Sequence, residues 1–135
     1  MKLAVVGTGY VGLVTGVTLA EVGHNVTCID IDEEKVKKMN RGISPIYEPG
    51  IEDLMRKNIG TGRLKFTCNY EEGFDEVDVI YIAVGTPENE DGSANLKYVE
   101  DAATTIALTA KKDTIVVTKS TVPVGTNDRL RQIIN

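Results

Sequence analysis

Residues 2–16 read KLAVVGTGYVGLVTG, an apolar run that meets three glycines and continues into a helical pattern. The glycines at positions 7, 9 and 12 have the spacing G-x-G-x-x-G, which is weak evidence alone because glycine-rich turns are common. Here the spacing follows a strand pattern and opens a helix, and residues 25–30 (NVTCID) form a second strand pattern that ends in Asp30. A strand, a glycine turn, a helix and a strand ending in an acid are typical of a dinucleotide-binding βαβ unit.

Each part of this motif has a physical role. Gly7 permits a tight turn, Gly9 lets the backbone approach a pyrophosphate, and Gly12 lets the helix pack close to the strand. The helix N-terminus offers free N–H groups to the phosphates. Asp30 can accept hydrogen bonds from both adenosine ribose hydroxyls and would repel a 2′-phosphate, so the motif predicts NAD rather than NADP. The competing interpretation is a strand-turn-helix with a surface aspartate, in which all these features coincide by chance.

Strand and helix patterns alternate along the rest of the chain, which predicts an α/β fold with a doubly wound parallel sheet of the Rossmann type. The usual strand order of this fold is 3-2-1-4-5-6. The last helical pattern still runs at Asn135, so we expect a domain truncated before its sixth strand. The predicted strands are Lys2–Val6, 25–30, Leu64–Thr67, 79–83 and 114–118, and the predicted helices lie between the first two strands and at 32–39, 50–57, 95–110 and 127–134.

Composition narrows the classes of function. The 135 residues, of which 41% are hydrophobic, suit one domain with its own core. Fifteen basic against twenty acidic residues give a net charge of −5, which argues against nucleic acid or an anionic membrane as partner. Residues 3–7 are too short an apolar run for a signal peptide or a membrane span. Cys28 and Cys68 lack CxxC spacing and a paired histidine, so we predict no disulfide and no metal site, and expect a cytoplasmic protein.

Further candidate residues follow the later strands. Gly85 and Thr86 come after the fourth strand, at the predicted switch-point crevice, although an ordinary Gly-Pro turn explains them equally well. Thr121 follows the fifth strand and should face the nicotinamide half of a dinucleotide. Lys35 could reach the ribose of the adenosine. Without further information, an ordinary solvent-exposed helix lysine is the simpler interpretation. No general base is visible, since His24 lies in a predicted surface turn.

Five segments together resemble one family. They are GTGYVGLVTG (7–16), CIDID (28–32), SPIYEPGIEDL (44–54), AVGTP (83–87) and KSTVPVGT (119–126). In this order and spacing they resemble the N-terminal NAD-binding domain of the UDP-glucose/GDP-mannose dehydrogenases, and among them the UDP-glucose 6-dehydrogenases. These enzymes oxidise the C6 hydroxyl of a nucleotide sugar to a carboxylate with two NAD.

The resemblance implies roles for individual positions. The backbone at Tyr10 and Val11 would lie against the pyrophosphate, Asp30 and Lys35 would bind the adenosine ribose, and Thr86 and Thr121 would contact the cofactor further along. The family's catalytic Cys, Lys and Asn, its central helix and its C-terminal sugar domain are absent from these 135 residues. We therefore expect a chain that binds NAD without turnover, with Thr121 the only residue linked even loosely to catalysis, and a homo-oligomer in the full-length enzyme.

Alternatives remain open on the sequence. Oxidation of UDP-glucose, which would place the protein in UDP-glucuronate biosynthesis, is the leading prediction. GDP-mannose and UDP-N-acetylmannosamine are the alternative substrates. They stay open because the residues that recognise the base and the sugar lie mostly in the missing region. A non-catalytic NAD-sensing module is another alternative, but such a module has no evident need for residues 47–50 and 120–125. A hydroxyacid dehydrogenase would share the glycine motif but not the later motifs.

Overall fold

Apolar and largely β-branched runs form a five-stranded parallel sheet in the computed structural model, which describes residues 1–110 and 113–135. The strand order is β3-β2-β1-β4-β5, as predicted for these five strands. The strands are β1 (Lys2–Val6), β2 (Asn25–Ile29), β3 (Leu64–Thr67), β4 (Val79–Ile82) and β5 (Ile115–Thr118).

Helices connect the strands. Asp32 caps the helix Glu33–Asn40, since its carboxylate accepts a hydrogen bond from the Lys35 backbone N–H at 3.1 Å. The sequence patterns missed the short helix α4 and placed other helix ends within a few residues. None of the helices in the described residues is long and apolar enough to cross a membrane. The helices are α1 (Tyr10–Val22), α2 (Glu33–Asn40), α3 (Ile51–Gly60), α4 (Tyr70–Gly73), α5 (Lys97–Thr109) and α6 (Thr126–Ile134).

The two faces of the sheet carry separate hydrophobic cores. Along β1, Leu3 and Val5 belong to the core that packs against α1, α2 and α3, whereas Ala4 and Val6 belong to the core on the face of α4, α5 and α6. Successive side chains of a strand point to opposite faces, and all four are buried because both faces are covered. The sheet is therefore doubly wound.

A side chain covers part of one edge of the sheet. The Asn40 amide donates to the Phe66 carbonyl of β3 at 2.9 Å, and the Phe66 backbone N–H donates to Asn40 Oδ1 at 3.1 Å. Asn40 thus makes the two backbone hydrogen bonds that a further strand would make at this residue.

The strand order places a crevice at the centre of the sheet. Strands β1 and β4 are neighbours, and the chain leaves β1 into α1 on one face but leaves β4 toward α5 on the other. Ligands of doubly wound sheets bind where strand order reverses, outside the carboxyl ends of the strands. The ends of β1 and β4 therefore frame the candidate site.

Candidate functional site

The turn between β1 and α1 requires glycine at two positions. Gly7 has a φ of +101°, and its N–H donates to the Ile29 carbonyl at 2.8 Å. A Cβ on Gly7 would lie 2.6 Å from the Ala83 carbonyl oxygen, and a Cβ on Gly12 would lie 1.9 Å from the Gly7 carbonyl oxygen. These contacts are with backbone atoms that cannot easily shift, so Gly7 and Gly12 bring β1, α1 and the end of β4 into close approach.

Gly9 is different, because nothing within the protein requires glycine there. Its φ of −71° and ψ of −166° suit any residue, and a Cβ would meet no atom within 4 Å. The missing side chain leaves open space beside the N-terminus of α1, where free N–H groups and the positive end of the helix dipole favour an anion. This cradle fits the pyrophosphate of a dinucleotide.

Asp30 follows β2 and is held by three donors. Its Oδ2 accepts hydrogen bonds from the buried Thr8 hydroxyl and from Lys35 Nζ at 3.2 Å, and its Oδ1 accepts one from the Asp32 N–H at 3.0 Å. The structure thus brings Asp30 and Lys35 together as an ion pair. Lys35 orients the carboxylate, and its ammonium lies at the same wall of the crevice.

Competing effects act on the pKa of Asp30. Partial burial raises the pKa, but the hydrogen bonds from Thr8 and Asp32 and the charge of Lys35 together outweigh burial and leave it below its ordinary value. Asp30 is therefore a fixed carboxylate at neutral pH. Ionised oxygens only accept hydrogen bonds, which suits the two hydroxyls of a ribose.

One cavity of about 620 Å³ joins these groups. It runs over the ends of β1 and β4. Gly12 lies outside its lining, one turn into α1, in the packing role described above. The other predicted site residues all line this cavity: Gly7, Gly9, Tyr10, Val11, Asp30, Lys35, Gly85, Thr86 and Thr121.

Ser120 fixes the loop that carries Thr121. Its hydroxyl donates to the Val84 carbonyl at 2.8 Å, and its N–H donates to the Ile82 carbonyl at 3.1 Å. These bonds hold the loop after β5 against the end of β4, so Thr86 and Thr121 line the same cavity. Neither Thr8 nor Ser120 was among the predicted site residues, although each is a hydroxyl residue within one of the sequence motifs.

Segment 47–50 meets the glycine turn. Tyr10 is exposed at the cavity, and the negative charge of Glu48 together with a hydrogen bond between the two side chains raises the pKa of the Tyr10 hydroxyl. The Glu48 carbonyl accepts from the Ile51 N–H at 3.2 Å, and Gly50, with a φ of +82°, lies directly before α3. The segment therefore connects the start of α3 to a residue of the site.

The cysteines and the histidine lie outside the cavity lining. Cys28 is fully buried in β2 against α1, and burial raises its pKa to about 12. Cys68 follows β3, and burial with nearby acidic groups, Glu33 first among them, raises its pKa. His24 Nδ1 lies 3.3 Å from the N-terminal amine of Met1. None of these groups is placed to act on a ligand in the cavity.

The whole chain, residues 1–135, matches the NAD binding domain of the UDP-glucose/GDP-mannose dehydrogenase family. The chain belongs to this family. The match identifies the dinucleotide as NAD and agrees with the resemblance carried by the sequence motifs.

Named relatives place the chain among nucleotide-sugar dehydrogenases. It is 61% identical over 134 residues to UDP-glucose 6-dehydrogenase YwqF of Bacillus subtilis, covering 99% of this chain and 30% of that protein. The UDP-glucose dehydrogenase structure from Pyrobaculum islandicum matches with a TM-score of 0.91 and 38% identity, over 98% of this chain and 33% of that one. The GDP-mannose dehydrogenase of Pseudomonas aeruginosa matches with a TM-score of 0.95 and 36% identity, over 99% of this chain and 32% of that one. The chain thus spans about a third of the length of these relatives.

Proposed function

We propose that this chain is the N-terminal cofactor domain of an enzyme that oxidises UDP-glucose to UDP-glucuronate with two NAD. The 61% identity to a UDP-glucose 6-dehydrogenase over 134 residues carries the proposal. The substrate and the full activity belong to the whole protein, in which a central helix and a sugar domain would complete the active site and the homo-oligomer.

Each side of the cavity would receive a different part of NAD. The open backbone at Gly9 and the start of α1 would receive the pyrophosphate, with Tyr10 and Val11 beside it. Asp30 and Lys35 would bind the adenosine ribose, and the negative charge of Asp30 would repel the 2′-phosphate of NADP.

The opposite end of the cavity would hold the nicotinamide. Gly85 and Thr86 follow β4 and Thr121 follows β5, so these residues lie at the half of the sheet away from Asp30. NAD supplies the hydride acceptor when it is bound. Thr121 would orient the reacting end of the cofactor, while the groups that carry the sugar through the aldehyde stage would come from the rest of the protein.

Cofactor choice is tested by calorimetric titration of this chain. We expect NAD to bind and NADP to bind at least about tenfold more weakly, since a like charge at the ribose costs at least about 1.4 kcal/mol. Asp30→Ala should reduce the difference between the affinities for NAD and NADP. Equal affinities of the unaltered chain for the two cofactors would contradict the assignment of Asp30.

The substrate is tested with the complete protein that carries this chain. Supplied with UDP-glucose and excess NAD, it should form two NADH per sugar, whereas these 135 residues alone should form none. NADH formation with another nucleotide sugar and none with UDP-glucose would contradict the substrate while leaving the cofactor domain in place.

GDP-mannose is the second candidate substrate. A GDP-mannose dehydrogenase is among the solved structures that this chain matches, with a TM-score of 0.95 and 36% identity. Sequence identity favours UDP-glucose. The same assay with GDP-mannose in place of UDP-glucose decides between them.

A further inference from the structure

The cavity continues past Asp30 into a region that, apart from Ile31, the sequence motifs do not cover. Its walls there come from Ile31, from Tyr70 at the start of α4, and from α5. The cavity-lining residues of α5 are Tyr98, Asp101, Ala102 and Thr105, which have the i, i+3, i+4, i+7 spacing of one helix face. This face is the far wall of the cavity as seen from the glycine turn.

Tyr70 bridges the ribose region and this far wall. Its ring packs against Phe74, with centroids 5.7 Å apart and planes tilted by 49°. Burial raises the pKa of the Tyr70 hydroxyl, and the charges of Asp30 and Asp101 raise it further. Tyr70, Asp30 and Asp101 line the same cavity, and the hydroxyl lies within the electrostatic reach of both carboxylates.

Asp101 contributes a negatively charged acceptor to the far wall. The Thr105 hydroxyl already donates to the Asp101 backbone carbonyl at 2.9 Å, so it is held against its own helix. Ala102 offers only a methyl group, while the rings of Tyr70 and Tyr98 offer flat surfaces suited to a planar base. The region thus combines two tyrosine rings with one carboxylate.

We infer that Asp101 accepts a hydrogen bond from the exocyclic amine of the NAD adenine and selects adenine over a 6-oxo purine. The inference rests on the proposed function, because it places the adenosine ribose at Asp30. The base attached to that ribose then lies further along the same wall, between the tyrosines and α5. Adenine presents an N–H₂ donor on its six-membered ring, whereas hypoxanthine presents a carbonyl oxygen at the same position. A carboxylate attracts the first group and repels the second.

The test compares NAD with nicotinamide hypoxanthine dinucleotide, which differs from NAD only at the purine. Calorimetric titrations of the 135-residue chain should show a preference for NAD of about tenfold, the contribution typical of a hydrogen bond to a charged group. Asp101→Asn should bring the preference close to one, chiefly by improving binding of the hypoxanthine dinucleotide, because an amide can donate to the purine carbonyl.

Asp53→Asn is the matched control. It removes one exposed aspartate charge from α3, outside the cavity lining, and should leave the tenfold preference unchanged. Equal binding of both dinucleotides by the unaltered chain, or the same preference in the Asp101→Asn variant, would overturn the inference while NAD binding still supports the proposed function. Failure of both dinucleotides to bind would refute the proposed function and the inference with it.

Discussion

Replacing Gly9 by alanine should weaken cofactor binding roughly tenfold or more without unfolding the domain. The added methyl group meets no atom of the chain within 4 Å, and the backbone angles at Gly9 suit alanine. The same change at Gly12 places the methyl group 1.9 Å from the Gly7 carbonyl oxygen. The two substitutions are chemically identical and lie three residues apart, so each serves as the other's control.

The expected magnitudes differ accordingly. At Gly9, a loss of N-cap quality of up to about 1 kcal/mol is offset by a gain of ~0.4–1 kcal/mol from the stiffer unfolded chain. Stability should therefore change by less than about 1 kcal/mol. At Gly12, the clash should cost about 3 kcal/mol or more, the upper end for overpacked sites. A methyl group at Gly9 would separate the phosphate from the helix N–H groups, and losing one charge-assisted hydrogen bond weakens binding roughly tenfold or more.

Urea denaturation and NAD titration of both variants measure these quantities. Gly9→Ala should unfold at a urea concentration close to that of the unaltered chain but bind NAD roughly tenfold more weakly or worse. Normal NAD affinity in Gly9→Ala would refute the argument that the open space beside Gly9 receives the pyrophosphate. A large loss of stability in the same variant would refute the claim that the protein itself does not require glycine there.

Three further predictions concern buried groups. Thr8→Val removes the hydroxyl that bonds Asp30, so NAD affinity should fall and urea unfolding should show a loss of about 1–3 kcal/mol; unchanged values would contradict the role of Thr8. The lowered pKa of Asp30 stabilises the fold above the unfolded value of about 4, and this stabilisation is lost as pH falls through the lower folded pKa. The free energy of unfolding of Asp30→Asn should therefore decline less steeply below about pH 5 than that of the unaltered chain. Parallel pH curves for the two proteins would contradict this role of Asp30. Ellman's reagent should modify Cys68 in the folded chain but Cys28 only after unfolding, because burial excludes the reagent and raises the Cys28 pKa to about 12; modification of both thiols at one rate would contradict this.

Much of the fold follows from local chemistry that a sequence displays directly. Both cores cover the sheet, so its strands appear as continuous apolar runs, and Asp32 and Gly23 mark helix ends by their capping chemistry. The spacing of Gly7 and Gly12 predicted a close approach of helix and strand, and the structure confirms it. The short turn brings Gly12 against the Gly7 backbone, and Gly7 against the backbone at the end of β4.

The missed features depend on contacts between distant parts of the chain. Helix α4 has only four residues, and it is fixed by the Asn69 side chain, which accepts from the Glu72 N–H at 3.2 Å, and by Gly73 packing against Ile29. No hydrophobic period can develop over one turn. Thr8 occupies an unspecified position of the glycine motif, and its value appears only when folding brings it to a carboxylate at the end of β2.

Asn40 occupies backbone groups at one edge of the sheet. Edge strands offer their outward N–H and C=O groups as templates for other chains, and many proteins must suppress this to remain soluble. The Asn40 amide occupies both groups of Phe66 in β3, whereas β5 at the opposite edge pairs with β4 alone among the described strands. The backbone groups of Phe66 are therefore not available to an additional strand. One asparagine side chain thus protects this position of the sheet edge from pairing with another chain.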